Sequence, residues 1–265
     1  MTSPAGDPRP VQAERMLPHQ IQAAIAARSV VYLPLGSIEY HSHHLPLGLD
    51  GLTAHGICTR AAAASGGVVL PTLWFGTGGT HTTYPWTIMT ASVSPLAELA
   101  VTTLRRLSDL GVQLCVLFSG HFADEQLAVI DTVAADWNVA GASPRVLPLA
   151  VNRSDAPLAP DHAGTFETSL LHALAPDLVQ LHQLPSLTEL PIDPPGQHGG
   201  WNHRHTPGHP LWGVMGPDPR ATDLHQSQRL LDQIVAWVCR QVTGVPFRGG
   251  PVRWARGPGA ANSRW

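Results

Sequence analysis

The chain has 265 residues, a length that suits one α/β domain with a sizeable core. Its formal net charge is −3 and only 13% of its residues are charged, which gives no electrostatic signature of nucleic-acid or anionic-membrane binding. All 16 basic residues are arginine, so a lysine Schiff base and a P-loop lysine are excluded. We therefore expect a small-molecule substrate and no nucleic-acid partner.

The cysteines and the N-terminal segment point to the cytoplasm. Cys58, Cys115 and Cys239 are far apart and follow no metal-binding spacing, so reduced, buried thiols are expected. The N-terminal segment lacks the basic start and apolar stretch of a signal peptide. No apolar run approaches the roughly 18 residues of a membrane span. We expect a cytoplasmic protein without a membrane segment.

Apolar runs alternate with helical patterns along the chain, as in a parallel sheet covered by helices. Strands are predicted at residues 30–36, 67–76, 112–121 and 144–151. Helices are predicted at 50–64, 94–110, 125–137, 165–174 and 223–242, with Ser94 as a cap and Gly111 as a stop. The prediction is a single-domain, three-layer α/β/α fold with a mostly parallel sheet over residues 1–242. A Gly/Pro/Arg-rich tail follows over residues 243–265.

Side chains that bind metals are concentrated after the first strand. Glu39 and His41 are two residues apart in an extended segment, so both point to the same side. Asp50 starts a helix, where its carboxylate can turn back toward the strand ends and bridge two cations. His121 ends a different strand. Carboxylate and imidazole ligands suit zinc, manganese or iron(II). A helix cap and surface histidines are the alternative, but two strand ends with the same ligand types favour a site.

Five motifs in order, between residues 30 and 238, resemble the creatininase (creatinine amidohydrolase) family of metal-dependent hydrolases. "GSIEYHSHHLPLGLD" is similar to the family's G-S-x-E-Q-H-G-x-H-L-P-x-x-T-D, and "SGHFAD" to N-G-H-G-G-N. The family's H-A-G-x-x-E-T-S is complete as "HAGTFETS". "THTTYPWT" resembles H-x-x-F-P-G-T, with His81, Pro85 and Thr87 in place, and "GVMGPDPRAT" resembles G-V-x-G-D-P-x-x-A-T.

The resemblance implies a mechanism and an assembly. One or two divalent ions, zinc, manganese or iron, would be held by Glu39, His41, Asp50 and His121. A metal-activated water would attack a carbonyl carbon, with His162 as the acid/base residue and Glu167 as a supporting carboxylate. On its own, "HAGTFETS" favours a plain helix start, with His162 as a cap and Glu167 as a solvated first-turn carboxylate, and the catalytic interpretation depends on the matching metal motifs. A homo-oligomer, such as a hexamer, is also implied.

Departures from the family pattern concern the second metal position and the substrate pocket. Ala123 and Thr165 stand where family members carry a glutamate for the second ion. His43, Asp124 or a water could complete that position, or the enzyme could use one metal. Trp86 replaces a small glycine, which would narrow a neighbouring pocket or offer a flat face to a planar ring. Creatinine is therefore not the favoured substrate.

The segment between residues 184 and 219 is rich in Pro, Gly and His. A mobile loop bordering the active site is favoured there over a second metal site. The reason is that no rigid ligand set fits the spacing of the four histidines in this segment, His198, His203, His205 and His209. Trp201 and Trp212 could close over a bound ring or pack between subunits.

The sequence thus predicts a metal-dependent amidohydrolase acting on a small cyclic amide, a formamide or a related C–N bond. A mycofactocin-type peptidase is one alternative. The other is a diverged, noncatalytic member that binds a ligand or partner in the same pocket.

Overall fold

Four parallel strands form one sheet in the computed structural model, which describes residues 11–79, 84–192 and 206–246. The strands, in the spatial order β2-β1-β3-β4, are β1 Val30–Leu35, β2 Val68–Val69, β3 Leu114–Ser119 and β4 Arg145–Ala150. The central strands β1 and β3 are buried along their whole length and pair from the first residue to the last. Their carboxyl ends therefore lie side by side, and so do the segments that follow them.

Within the described segments, six helices cover the two faces of the sheet. They are α1 Pro18–Ala27, α2 Leu49–Ser65, α3 Ser94–Asp109, α4 Asp124–Val139, α5 Thr165–Leu174 and α6 Ser227–Thr243. Alternate β1 residues serve opposite faces: Val30 and Tyr32 pack with α2, α5 and α6, whereas Val31 and Leu33 pack with α1, α3 and α4. The predicted three-layer α/β/α fold is confirmed.

The elements differ from the prediction in four places. β2 is far shorter than predicted, because Pro71 has no N–H to donate and hydrogen bonding to β1 resumes only at Leu73, which donates to Pro34. Ser94 does not cap α3; it is the first helical residue and makes no capping bond. Helix α1 was not anticipated. The last helix begins at Ser227, after a 3-10 turn.

Two glycines let α2 begin directly against the ends of the strands. A Cβ on Gly36 would overlap the backbone of Gly51, and a Cβ on Gly120 would overlap the carbonyl oxygen of Asp50. Only glycine permits such close backbone contact. These contacts hold the first turn of α2, and with it Asp50, over the ends of β1 and β3.

Some predictions fall beyond the described residues. They concern the tail after residue 246 and the side chains of His81, His198, Trp201, His203 and His205. The boundary at residue 242 therefore stays a prediction. Among the helices of the described segments, none is both long and apolar enough to cross a bilayer.

Candidate metal centre

Six buried titratable side chains meet at the carboxyl edge of the sheet. None is more than 9% exposed. They are Glu39, His41, Asp50, His121, His162 and Glu167. They come from the ends of β1 and β3, from the first turn of α2 and from the start of α5. The structure thus brings together the four residues expected as metal ligands and the two expected as the acid/base residue and its supporting carboxylate.

The first group of donor atoms consists of Glu39, Asp50 and His121. Nδ1 of His121 lies 3.0 Å from Oε2 of Glu39 and 3.1 Å from Oδ2 of Asp50. Donors that share a tetrahedral cation at ~2.0–2.2 Å lie roughly 3–3.5 Å apart, so this spacing fits a metal ion. The hydroxyl of Ser37 donates to Oδ2 of Asp50 at 2.6 Å and orients the carboxylate.

The second group consists of His41, Asp50 and Glu167. Nε2 of His41 lies 3.3 Å from Oδ1 of Asp50 and 3.6 Å from Oε2 of Glu167. Nδ1 of the same ring donates to the carbonyl oxygen of Glu39 at 3.0 Å, which directs Nε2 at the two carboxylates. Asp50 therefore presents one oxygen to each group, the arrangement of a bridging carboxylate.

His162 forms a further group of converging donor atoms with Glu39 and His41. Its ring stacks on that of His41, with centroids 4.4 Å apart and planes 28° apart. Its Nε2 donates to the carbonyl oxygen of Tyr40 at 3.1 Å, so Nδ1 is the basic nitrogen of the neutral ring. The backbone of His162 exchanges two hydrogen bonds with that of Met215, which anchors the residue. His162, Glu39, and Glu167 line one cavity of about 550 Å³.

Opposite charges dominate the electrostatics of the cluster. Burial lowers the pKa of His41 and His121, but the neighbouring carboxylates outweigh burial and raise both to about 10. Burial raises the pKa of Glu39, yet nearby histidine charges hold it at about 2, and the pKa of Asp50 falls well below its usual value for the same reasons. Burial raises the pKa of Glu167 well above its usual value. Such a cluster requires positive charge, which protons or a metal ion can supply.

The other residues considered for the second metal position lie apart from these groups. His43 packs edge-on against Tyr40 and contacts its hydroxyl at 3.3 Å. Asp124 starts α4 on the cavity wall and, among the described residues, joins neither group of converging donors. Thr165 donates weakly to Asp161 at 3.4 Å. Trp86 is 77% exposed and lies outside the cavity lining that the described segments form.

Asp161 is a site residue that the sequence reasoning missed. Its buried carboxylate accepts backbone N–H bonds from Gly164 at 3.1 Å and from Phe166 at 2.8 Å, and so caps α5. Burial outweighs these bonds and raises the pKa of Asp161 to about 6. An aspartate shortly before a predicted helix is the signal that could have revealed it.

The chain is an α/β/α protein with a cluster of histidine and carboxylate donors at the carboxyl edge of its parallel sheet, the arrangement of a metal-binding site. The family model described as creatinine amidohydrolase matches residues 14–242. The chain belongs to the creatininase family, and its class of chemistry is amide hydrolysis.

Individual relatives support this membership. The chain is 28% identical to a creatinine amidohydrolase from Pseudomonas putida over 208 residues, covering 66% of this chain and 79% of that protein. It is also 28% identical to a mycofactocin precursor peptide peptidase from Mycolicibacterium smegmatis over 161 residues, 58% of this chain and 62% of the peptidase. A solved manganese form of creatininase shares the fold, with a TM-score of 0.68, 24% identity, and coverage of 88% of this chain and 97% of that one.

Proposed function

We propose that the protein is a metal-dependent amidohydrolase that cleaves a C–N bond in a small cyclic amide, a formamide or a related compound. The observation that carries the proposal is the pair of donor groups joined by Asp50 beside a cavity of about 550 Å³. A cavity of this size suits a small molecule. Family membership supports the same reaction class.

The proposed ligands can hold one or two divalent ions. The donors are Glu39, His41, Asp50 and His121. Their oxygen and imidazole chemistry fits zinc, manganese or iron(II), and a solved family member is a manganese form. When bound, such an ion lowers the pKa of a coordinated water and polarises a carbonyl group.

His162 is the proposed acid/base residue. Because its Nε2 hydrogen is directed to the carbonyl of Tyr40, Nδ1 is the atom that takes a proton from the attacking water and passes it to the leaving nitrogen. An amide nitrogen leaves poorly unless it is protonated. The stacked ring of His41 and the backbone pairing with Met215 hold this imidazole in one orientation.

The walls of the cavity favour a small, partly apolar substrate. Phe122, Pro160 and Met215 contribute apolar surface, whereas Glu39 and His162 supply the polar end. A ring or short acyl group can lie against the apolar wall while its amide meets the polar end.

A mycofactocin-type peptidase is the second candidate, favoured by the relative from Mycolicibacterium smegmatis. We would load the protein with Mn²⁺ or Zn²⁺ and assay cyclic amides, formamides and short C-terminal peptides, following release of amine, formate or peptide. Turnover of small amides alone is the expected result. Cleavage of peptides alone would identify the peptidase. Absence of turnover, with no retained metal, would instead support a noncatalytic binding protein.

A further inference from the structure

We propose that Glu167 is a ligand of a second cation, which it holds together with His41 and Asp50. This inference rests on the proposed function and deepens it, because the sequence motif suggests only a supporting role for Glu167. Glu167 would supply the carboxylate that family members carry at the positions of Ala123 and Thr165.

The spacing of the donor atoms is the first argument. The imidazole nitrogen Nε2 of His41 lies 3.3 Å from Asp50 Oδ1 and 3.6 Å from Glu167 Oε2, close to the separations of roughly 3–3.5 Å expected around one tetrahedral ion. The three donor atoms all lie within 4.8 Å of one another. Asp50 directs its other oxygen at His121 and so links the second group to the first.

The unmet polar demand of His41 is the second argument. His41 is fully buried, and its Nε2 makes no hydrogen bond within the described segments although it faces two carboxylates. With Nδ1–H donated to the Glu39 carbonyl, Nε2 faces two carboxylate oxygens, and without a metal ion only a proton on Nε2 can offset their charge. A metal ion among the three donors would replace that proton, and the carbonyl bond is the orienting contact typical of a metal-bound histidine.

The fixed position of Glu167 is the third argument. Its Oε2 accepts the backbone N–H of Ala163 at 2.6 Å, and its own N–H donates to Asp161 at 3.3 Å. Ala163 adopts a left-handed backbone with φ of 53°, a conformation that costs free energy in an alanine and recurs at functional sites. The first turn of α5 therefore holds the carboxylate toward His41 before any ion binds.

The experiment counts ions and measures their coupling. Wild-type protein, Glu167→Gln and the control Glu125→Gln would be titrated with Mn²⁺ by calorimetry and examined by electron paramagnetic resonance. Glutamine keeps the size of the side chain and an oxygen that accepts the Ala163 N–H, but removes the charge. Glu125 is a glutamate on the same cavity wall that lies outside both donor groups within the described residues, so its variant controls for the lost charge.

We expect two Mn²⁺ ions per chain and a spin-coupled spectrum in the wild type and in Glu125→Gln. Glu167→Gln should bind one ion with wild-type affinity and should bind the second about 100-fold more weakly. Its spectrum should be uncoupled. Circular dichroism would verify that each variant is folded. Two coupled ions in Glu167→Gln, or one ion in the wild type, would overturn the inference.

The inference and the proposed function fail separately. A wild-type protein that binds one ion and hydrolyses small amides would refute the second site and leave the function intact. A protein that binds two coupled ions, loses one in Glu167→Gln and cleaves no amide would support the site and refute the function.

Discussion

A single methyl group added at Gly120 is expected to displace Asp50 and weaken both donor groups. A Cβ there would overlap the carbonyl oxygen of Asp50 and lie 2.9 Å from its carbonyl carbon. An ordinary contact of roughly 3.5–4 Å to that carbon alone would require the start of α2 to move by roughly 0.5–1 Å, and the closer carbonyl oxygen requires a larger shift. Donor–metal distances stay within about 0.2 Å of their ideal values, so Gly120→Ala should lower metal affinity by about 10–100-fold. Overpacking should also lower the free energy of unfolding by about 1–3 kcal/mol.

The assay combines metal analysis of the purified protein with urea unfolding of the metal-free protein. Gly244→Ala is the matched control, because its Cβ would lie 3.3 Å from the Arg240 carbonyl oxygen and 3.6 Å from that of Gln241, without overlap, and its φ of −72° suits alanine. This control should keep its metal. Wild-type metal affinity in Gly120→Ala would refute the claim that close backbone packing positions Asp50.

Three further predictions concern the same centre. His121→Ala should lose metal, whereas His162→Ala should retain metal and lose turnover; equal metal loss in both, by elemental analysis, would show that the roles are misassigned. Chelation should lower the melting temperature, because an ion at about 1,000 times its Kd adds about 4 kcal/mol to stability; an unchanged melting curve would contradict tight binding. Burial raises the pKa of Asp161 from 3.8 to about 6, so folding favours the protonated form of this residue. Its contribution to the stability of the metal-free protein should therefore decrease as pH rises from about 4 to 6. Asp161→Asn should flatten that decrease in urea unfolding measured across the range, and an unchanged slope would argue against it.

The position of the site could be predicted from the sequence because it depends on strand ends. The apolar runs that become β1 and β3 are unambiguous, and parallel strands bring the residues after them to one edge. Glu39 and His121 are therefore placed near each other by topology alone. Asp50 is predicted to lie near them as well, because it starts the helix that follows β1.

Finer features depended on contacts that a sequence pattern does not contain. The orientation of the Asp50 carboxylate between the two donor groups is set by Ser37 and by glycine contacts with α2. The approach of Glu167 to His41 requires the left-handed turn at Ala163, which is unusual for alanine. Ser94 matched a capping pattern, yet the backbone enters the helix one residue earlier.

Anomalous diffraction from crystals grown with Mn²⁺ or Zn²⁺ would locate the bound ions. We expect a peak about 2.0–2.3 Å from donor atoms of Glu39, Asp50 and His121, and a second peak beside His41 and Glu167. Peaks elsewhere, or an empty cluster in protein that hydrolyses amides and is insensitive to chelators, would contradict the proposed metal centre.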